Sequence, residues 1–188
     1  MYLCSGKVAN YQHKRKRKQG YWQNLSNQKD RTVIQMTTFI GNISVRLDSK
    51  GRFFIPASYR KILAEWDSER IVMRRDTDNA CLIFYPEKVW NARVEQLSST
   101  LDEWNAEDQM LLMQFVAEAA FLEPDSQGRV LLQKRDLQQI GADGELLIVG
   151  MMNRFAIWSK QTFESKMLKP DEFALQLRKR MTQRGTKE

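Results

Sequence analysis

The 188-residue sequence is poor in the side chains that carry most covalent chemistry: one histidine, His13, and two cysteines, Cys4 and Cys81. Two cysteines make no disulfide framework, and Cys81 lies inside the apolar run Cys81-Leu82-Ile83-Phe84-Tyr85, so a reducing cytoplasm is the simplest home. With a single histidine the sequence has no His/Cys/Asp cluster at metal-ligand spacing. It also has no glycine-rich phosphate loop and no serine nucleophile elbow. Its apolar runs, that one and Leu146-Leu147-Ile148-Val149, fall far short of the roughly 20 residues a membrane helix needs. No apolar segment follows the basic N-terminal cluster, which argues against a secretory signal. Together these absences point away from an enzyme, a cofactor, a small-molecule substrate and a membrane. The pair Asp48 and Asp125 is the one arrangement resembling an acid and a base, but each stands at a turn beside an arginine and reads as structural.

Charge is also missing where it would count. The net +7 sits in residues 1–35, which hold eight basic residues against one acidic, whereas residues 36–188 hold 22 of each. A polyanion partner must therefore be met by a local patch. Residues 1–35 lack hydrophobic periodicity and read as a disordered extension. The run His13-Lys14-Arg15-Lys16-Arg17-Lys18 fits a nucleic-acid arm or an address signal. Because patterning switches on directly after Met36, the alternative is a start at Met36, with 1–35 translated from upstream sequence.

What the chain does have is a repeat. Leu47-Asp48-Ser49-Lys50-Gly51-Arg52 returns as Pro124-Asp125-Ser126-Gln127-Gly128-Arg129. In each copy Asp can accept backbone N–H bonds and Gly can take a positive φ, so Asp48, Gly51, Asp125 and Gly128 shape a tight turn and hold an arginine beside it. The first copy runs strand Ile43–Leu47, turn, strand Phe53–Ile55, and a helix from Ala57 to Glu65 opened by Pro56. A strand Ile71–Met73, a turn at Asp76–Asn79, a strand Cys81–Tyr85 and a helix from Glu87 to about Leu97 complete it. The second copy repeats this order: Phe121-Leu122, turn, Val130–Leu132, a short helix with Leu137 and Ile140 ended by Gly141, strands Leu146–Val149 and Phe155–Trp158, and a helix capped by Ser159. It is four residues shorter, a difference placed at Asp76–Asn79.

Between the copies, Thr100-Leu101-Asp102-Glu103 has capping-box spacing and predicts one long helix, Leu101 to Ala120. Its Met-rich apolar arc suits core or a subunit contact better than a ligand groove. Lys169-Pro170 breaks the chain before a last amphipathic segment with Phe173, Leu175 and Met181, whose basic end suits a solvated tail better than a phosphate-binding arm. The division is thus 1–35 extension, 36–98 first repeat, 99–120 linking helix, 121–168 second repeat and 169–188 basic tail. Short strands with hairpin turns cannot bury their apolar faces alone, so the copies should interlock about a pseudo-twofold axis in one small barrel or layered sheet.

Lys50 and Arg52 flank a glycine that leaves a phosphate or base edge room to approach. Arg129 keeps the arginine of the second turn, with Gln127 in the place of Lys50. The other reading is that both arginines pair with their own Asp and only brace the turns. Both stay open on the residues alone.

At this point a resemblance enters. Leu47-Asp48-Ser49-Lys50-Gly51-Arg52 with Ile55-Pro56 resembles the first signature of the MraZ family. Asp125-Ser126-Gln127-Gly128-Arg129-Val130-Leu131 and Val149-Gly150-Met151-Met152-Asn153-Arg154-Phe155-Ala156-Ile157-Trp158 resemble the second. The likeness runs from about Met36 to Met167. It implies an α+β, mainly β fold of two tandem AbrB-like swapped-hairpin halves forming one barrel-like domain. It also implies a bacterial transcriptional regulator whose subunits form a homo-oligomeric ring. In that family the Asp-x-x-x-Arg turns contact double-stranded DNA at repeated boxes upstream of division and cell-wall genes. By position, Lys50, Arg52 and Arg129 become the DNA-contacting residues and the protein is expected in the cytoplasm, on the nucleoid. Two departures stand out: Gln133 replaces a proline often found after the second signature, and Gln127 assigns more of the contact to the first turn. The competing expectation is a non-enzymatic interaction ring whose arginine turns bind an acidic partner.

Overall fold

In the computed structural model, residues 38–68, 70–142 and 144–184 are described. The expectations for residues 1–35, disorder and a start at Met36, lie outside them. Eight strands are present among the described residues: β1 Asn42–Arg46, β2 Arg52–Phe54, β3 Ile71–Arg75, β4 Leu82–Pro86, β5 Ala119–Leu122, β6 Arg129–Leu131, β7 Glu145–Gly150 and β8 Phe155–Ser159. The helices are α1 Ala57–Glu65, α2 Glu87–Thr100, α3 Ala106–Ala117, α4 Lys134–Gln139, α5 Lys160–Lys166 and α6 Pro170–Arg184. No described helix is long and apolar enough to cross a membrane.

The halves interlock as expected. Six strands make one antiparallel sheet in the order β1-β7-β8-β4-β3-β5, and β2 pairs with β6 in a separate two-stranded ribbon. Exchanging the halves (β1 with β5, β3 with β7, β4 with β8) reverses that order and returns the same sheet. The registers agree: the central pair of β4 and β8 is Ile83–Ala156, and the central pair of the ribbon is Phe53–Val130. A pseudo-twofold axis therefore passes through both. The layered arrangement is the one adopted; the sheet does not close into a barrel.

Side-chain alternation along the strands separates two cores. Phe84, Phe155, Ile71, Ile148 and Leu82 face the ribbon, where they meet Phe53, Val130, Tyr59, Leu63 and Ile140. Phe53 stands edge-on to Phe84 with ring centroids 6.1 Å apart. The opposite face packs Val72, Ile83, Tyr85 and Ala156 against Trp90 of α2 and Phe115 of α3. Burying each large side chain contributes on the order of 1.5–3 kcal/mol, which is what holds three-residue strands in one register.

Three details differ from the sequence expectations. Helix α2 continues to Thr100, so the Thr100–Glu103 capping box does not form. Asn105 instead caps α3, its side chain accepting from the backbone N–H groups of Glu107 and Asp108. The stronger Asx cap five residues later wins because Asp108 also reaches back to the Asp102 N–H. The helix then ends at Ala117 so that Ala119 and Ala120 can pair with Arg74 and Met73 in the sheet. The four-residue shortening is also split. The β3–β4 loop spans residues 76–81 and the β7–β8 loop 151–154, which accounts for two; the rest lies in the helix, nine residues in α1 and six in α4, with β7 one residue longer than β3. Finally, α6 forms through Arg184 with Pro170 at its first position.

Candidate nucleic-acid interface

The two turns have the same backbone for the same local reasons. Asp48 Oδ1 accepts the N–H groups of Lys50 and Arg52, both at 2.9 Å. Asp125 Oδ1 accepts those of Gln127 at 3.0 Å and Arg129 at 2.9 Å. Gly51 (φ +81°) and Gly128 (φ +78°) take the left-handed conformation that closes each turn. In both, the carboxylate lies below the ordinary aspartate range, chiefly because the Arg52 or Arg129 backbone N–H binds the ionised form.

Each arginine is braced by its own aspartate. Arg52 Nε donates to Asp48 Oδ2 at 2.7 Å, and Arg129 Nε donates to Asp125 Oδ2 at 2.8 Å. The two braces are alike, and in each this Nε bond is the one side-chain hydrogen bond of the pair; Nη2 of Arg129 also comes within 2.7 Å of Asp125 Oδ2. Bracing by Nε leaves Nη1 of each fork without a hydrogen-bond partner among the described residues. Lys50 is exposed and forms no ion pair among the described residues.

The ribbon brings the two turns together. Arg52 stands opposite Leu131, and Phe54 opposite Arg129. Residues two apart share a face, so Arg52, Phe54, Arg129 and Leu131 form one side of the ribbon while Phe53 and Val130 are buried on the other. Phe54 and Leu131 are both more than half exposed (54% and 55%), which is unusual for large apolar side chains in a strand. The guanidinium of Arg129 lies 5.9 Å from the Phe54 ring centroid. From strand rise and spacing, the two arginine Cα atoms are roughly 8 Å apart on the diagonal.

Each turn is also held by the other half. Gly51 O accepts from Leu132 N and Gly128 O accepts from Ile55 N, both at 3.0 Å. Beside the first turn lies a groove of about 480 Å³ walled by Lys50, Lys134 and Leu137 among others. Among the described residues, no group of three His, Cys, Asp or Glu side chains is placed to hold a metal. The sequence reading singled out Lys50, Arg52 and Arg129 and passed over Phe54 and Leu131. Strict alternation from Arg52 and Arg129 was the available signal for them.

Comparison with known proteins adds to this geometry. The family model for MraZ protein matches twice, over residues 38–113 and 115–185, once for each half. The chain belongs to the MraZ family. A protein named transcriptional regulator MraZ from Bacteroides thetaiotaomicron is 43% identical over 142 residues, covering 76% of this chain and 91% of that protein. The one from Bacteroides fragilis is 37% identical over 142 residues, covering 76% and 90%. The one from Phocaeicola vulgatus is 35% identical over 139 residues, covering 74% and 90%. The interlocked halves are therefore those of an MraZ-family chain, and its two Asp-x-x-Gly-Arg turns stand at opposite ends of the β2–β6 ribbon.

Proposed function

We propose that this MraZ-family chain is a sequence-specific DNA-binding transcriptional regulator, acting in the cytoplasm on the nucleoid, with the β2–β6 ribbon as its reading element. The observation that carries this is the exposed ribbon face on which Arg52 and Arg129 flank Phe54 and Leu131. A two-stranded ribbon fits a major groove about 12 Å wide. Arg52 suits bidentate contact with guanine O6 and N7, while Lys50 suits a phosphate. Phe54 and Leu131 offer apolar contact to thymine methyl groups. The relatives named as transcriptional regulators support the same reading.

One ribbon makes few contacts and residues 36–188 are formally neutral. Affinity then has to come from several subunits, joined in a ring, meeting repeated boxes upstream of division and cell-wall genes. Exposed apolar residues on α3 (Met110, Leu111, Met113) and on α6 (Phe173, Leu175, Met181) are the surfaces available for joining. The test is footprinting on the region upstream of the chain's own reading frame. Protection of several spaced boxes is expected, with much weaker binding to a duplex cut down to one box. Equal affinity for one box and several would remove the multivalent part.

The neutral balance also favours a second reading, in which the same arginine face engages an acidic protein. Salt separates the two. Binding through phosphates gives a steep fall of log K with log salt; a flat slope with no promoter preference supports the protein partner.

A further inference from the structure

The two turns differ in where their positive charge comes from. In the first, the turn itself carries Lys50, and the side chain packed on Gly51 from the other half is apolar: a Cβ on Gly51 would lie 3.7 Å from Leu137 Cδ1. In the second, the turn carries neutral Gln127, and the side chain packed on Gly128 from the other half is Arg60. Arg60 and Leu137 occupy matching positions, since each stands nine residues after the glycine of its own turn. Arg60 Nη1 donates to Gln127 O at 3.4 Å, so the guanidinium lies against the residue that takes the place of Lys50. A Cβ at Gly128 would stand 2.6 Å from both Cδ and Nη1 of Arg60, which makes the bare glycine the seat of that side chain. Arg60 is exposed and forms no ion pair among the described residues, unlike Arg129, which is tied to Asp125.

We infer that Arg60, reaching across from α1, supplies the second turn with the phosphate-binding cation that Gln127 does not, so that both ends of the ribbon grip the DNA backbone. This rests on the DNA-binding reading above and deepens it. The second turn then has its phosphate contact from one half and its braced arginine from the other, whereas the first turn has both from one half. A guanidinium already laid over the turn backbone loses little freedom on binding and presents its remaining N–H donors outward.

The test measures binding of the full chain to a labelled duplex spanning the region upstream of its own reading frame, across a salt series. Arg60→Leu copies the Leu137 arrangement of the first turn and keeps the apolar packing, so folding is retained and circular dichroism with thermal melting checks it. The expected result is about tenfold weaker binding at low salt and a log–log salt slope shallower by about 1 for each second turn engaged. Adding Gln127→Lys to Arg60→Leu, which rebuilds the charge as the first turn has it, should restore the slope. Arg52→Ala is measured alongside. If Arg52→Ala abolishes binding while Arg60→Leu leaves affinity and slope unchanged, the role of Arg60 is refuted and the DNA-binding reading stands. If Arg52→Ala also binds normally, both are overturned.

Discussion

The two halves share a backbone and differ in chemistry at matched positions. Lys50 faces Gln127, Leu137 faces Arg60, and buried Tyr59 is matched by buried Asp136. Wherever a residue makes the turn (Asp, Gly, Arg) the halves agree, because those contacts are dictated by the backbone and leave no latitude. Where a residue only packs on the turn or faces solvent, the halves have diverged. In the first half Tyr59 fills its site with an aromatic ring and donates its hydroxyl to Ile40 O at 3.1 Å. In the second, Asp136 is held by Arg75 at 3.0 Å, with its other carboxylate oxygen unpartnered. The comparison teaches that the fold needs the turns in duplicate but does not need a duplicate surface.

The hardest test of that difference is Arg75→Leu. It leaves the buried Asp136 carboxylate with only the Arg135 Nε at 3.7 Å and should cost up to about 3–5 kcal/mol in denaturant unfolding, as for other buried pairs that lose one partner. Tyr59→Phe, at the matching site, loses only one hydrogen bond and should cost about 1 kcal/mol. Similar losses for the two would mean that the matched sites are energetically alike.

Next in size is the contrast between the arginines. Arg52→Ala should weaken promoter binding by about ten- to a hundredfold per ribbon engaged, in line with 1–3 kcal/mol for a bidentate base contact. Arg129→Ala, in the turn that has Gln127 in place of Lys50, should lose less and relax base preference less. Titration against single-base variants of one box would show it, and equal losses would erase the proposed asymmetry.

Smaller again is the glycine pair. Gly51→Ala and Gly128→Ala each force a side chain into the left-handed region and should each cost about 1–2 kcal/mol. They should part in DNA binding. Alanine at Gly51 crowds the Leu132 carbonyl at 3.2 Å, whereas alanine at Gly128 must push aside the flexible Arg60. Only the second change should make the salt slope shallower.

The smallest effect is a likeness between the halves. Because both aspartates titrate below their ordinary range when folded, their contribution is complete above the ordinary aspartate value. It is lost as pH falls through the lower folded value. Amide resonances of Lys50 and Arg52 should therefore stay constant through the ordinary aspartate range and move only below it, and those of Gln127 and Arg129 should do the same. If only one turn titrates so, the shared backbone account fails.

Much of this was legible in advance. The doubled Asp-x-x-Gly-Arg stretch, the succession of strands and helices along the chain and the interlocking of halves all follow from apolar patterning and turn chemistry. The linking helix was misread because two caps, Thr100 with Glu103 and Asn105 with Asp108, lie five residues apart; spacing alone does not say which closes. The positions of the missing residues were also hidden, since a deletion in a loop and one at a helix end shift the following strand identically. Phe54 and Leu131 lie in apolar runs that read only as strands. Their exposure depends on which face of the ribbon is covered.

The sequence by itself determined the turns. Every bond made within Asp48–Arg52 and Asp125–Arg129 spans four residues or fewer, so five residues carry the instruction for the turn itself. Only the tertiary structure decided what stands beside each turn. Strands of three residues carry too little pattern to choose a partner, and β2 meets β6 because that pairing buries Phe53 and Val130 against the six-stranded sheet. That burial is what brings Arg60 onto a turn 67 residues away in the chain.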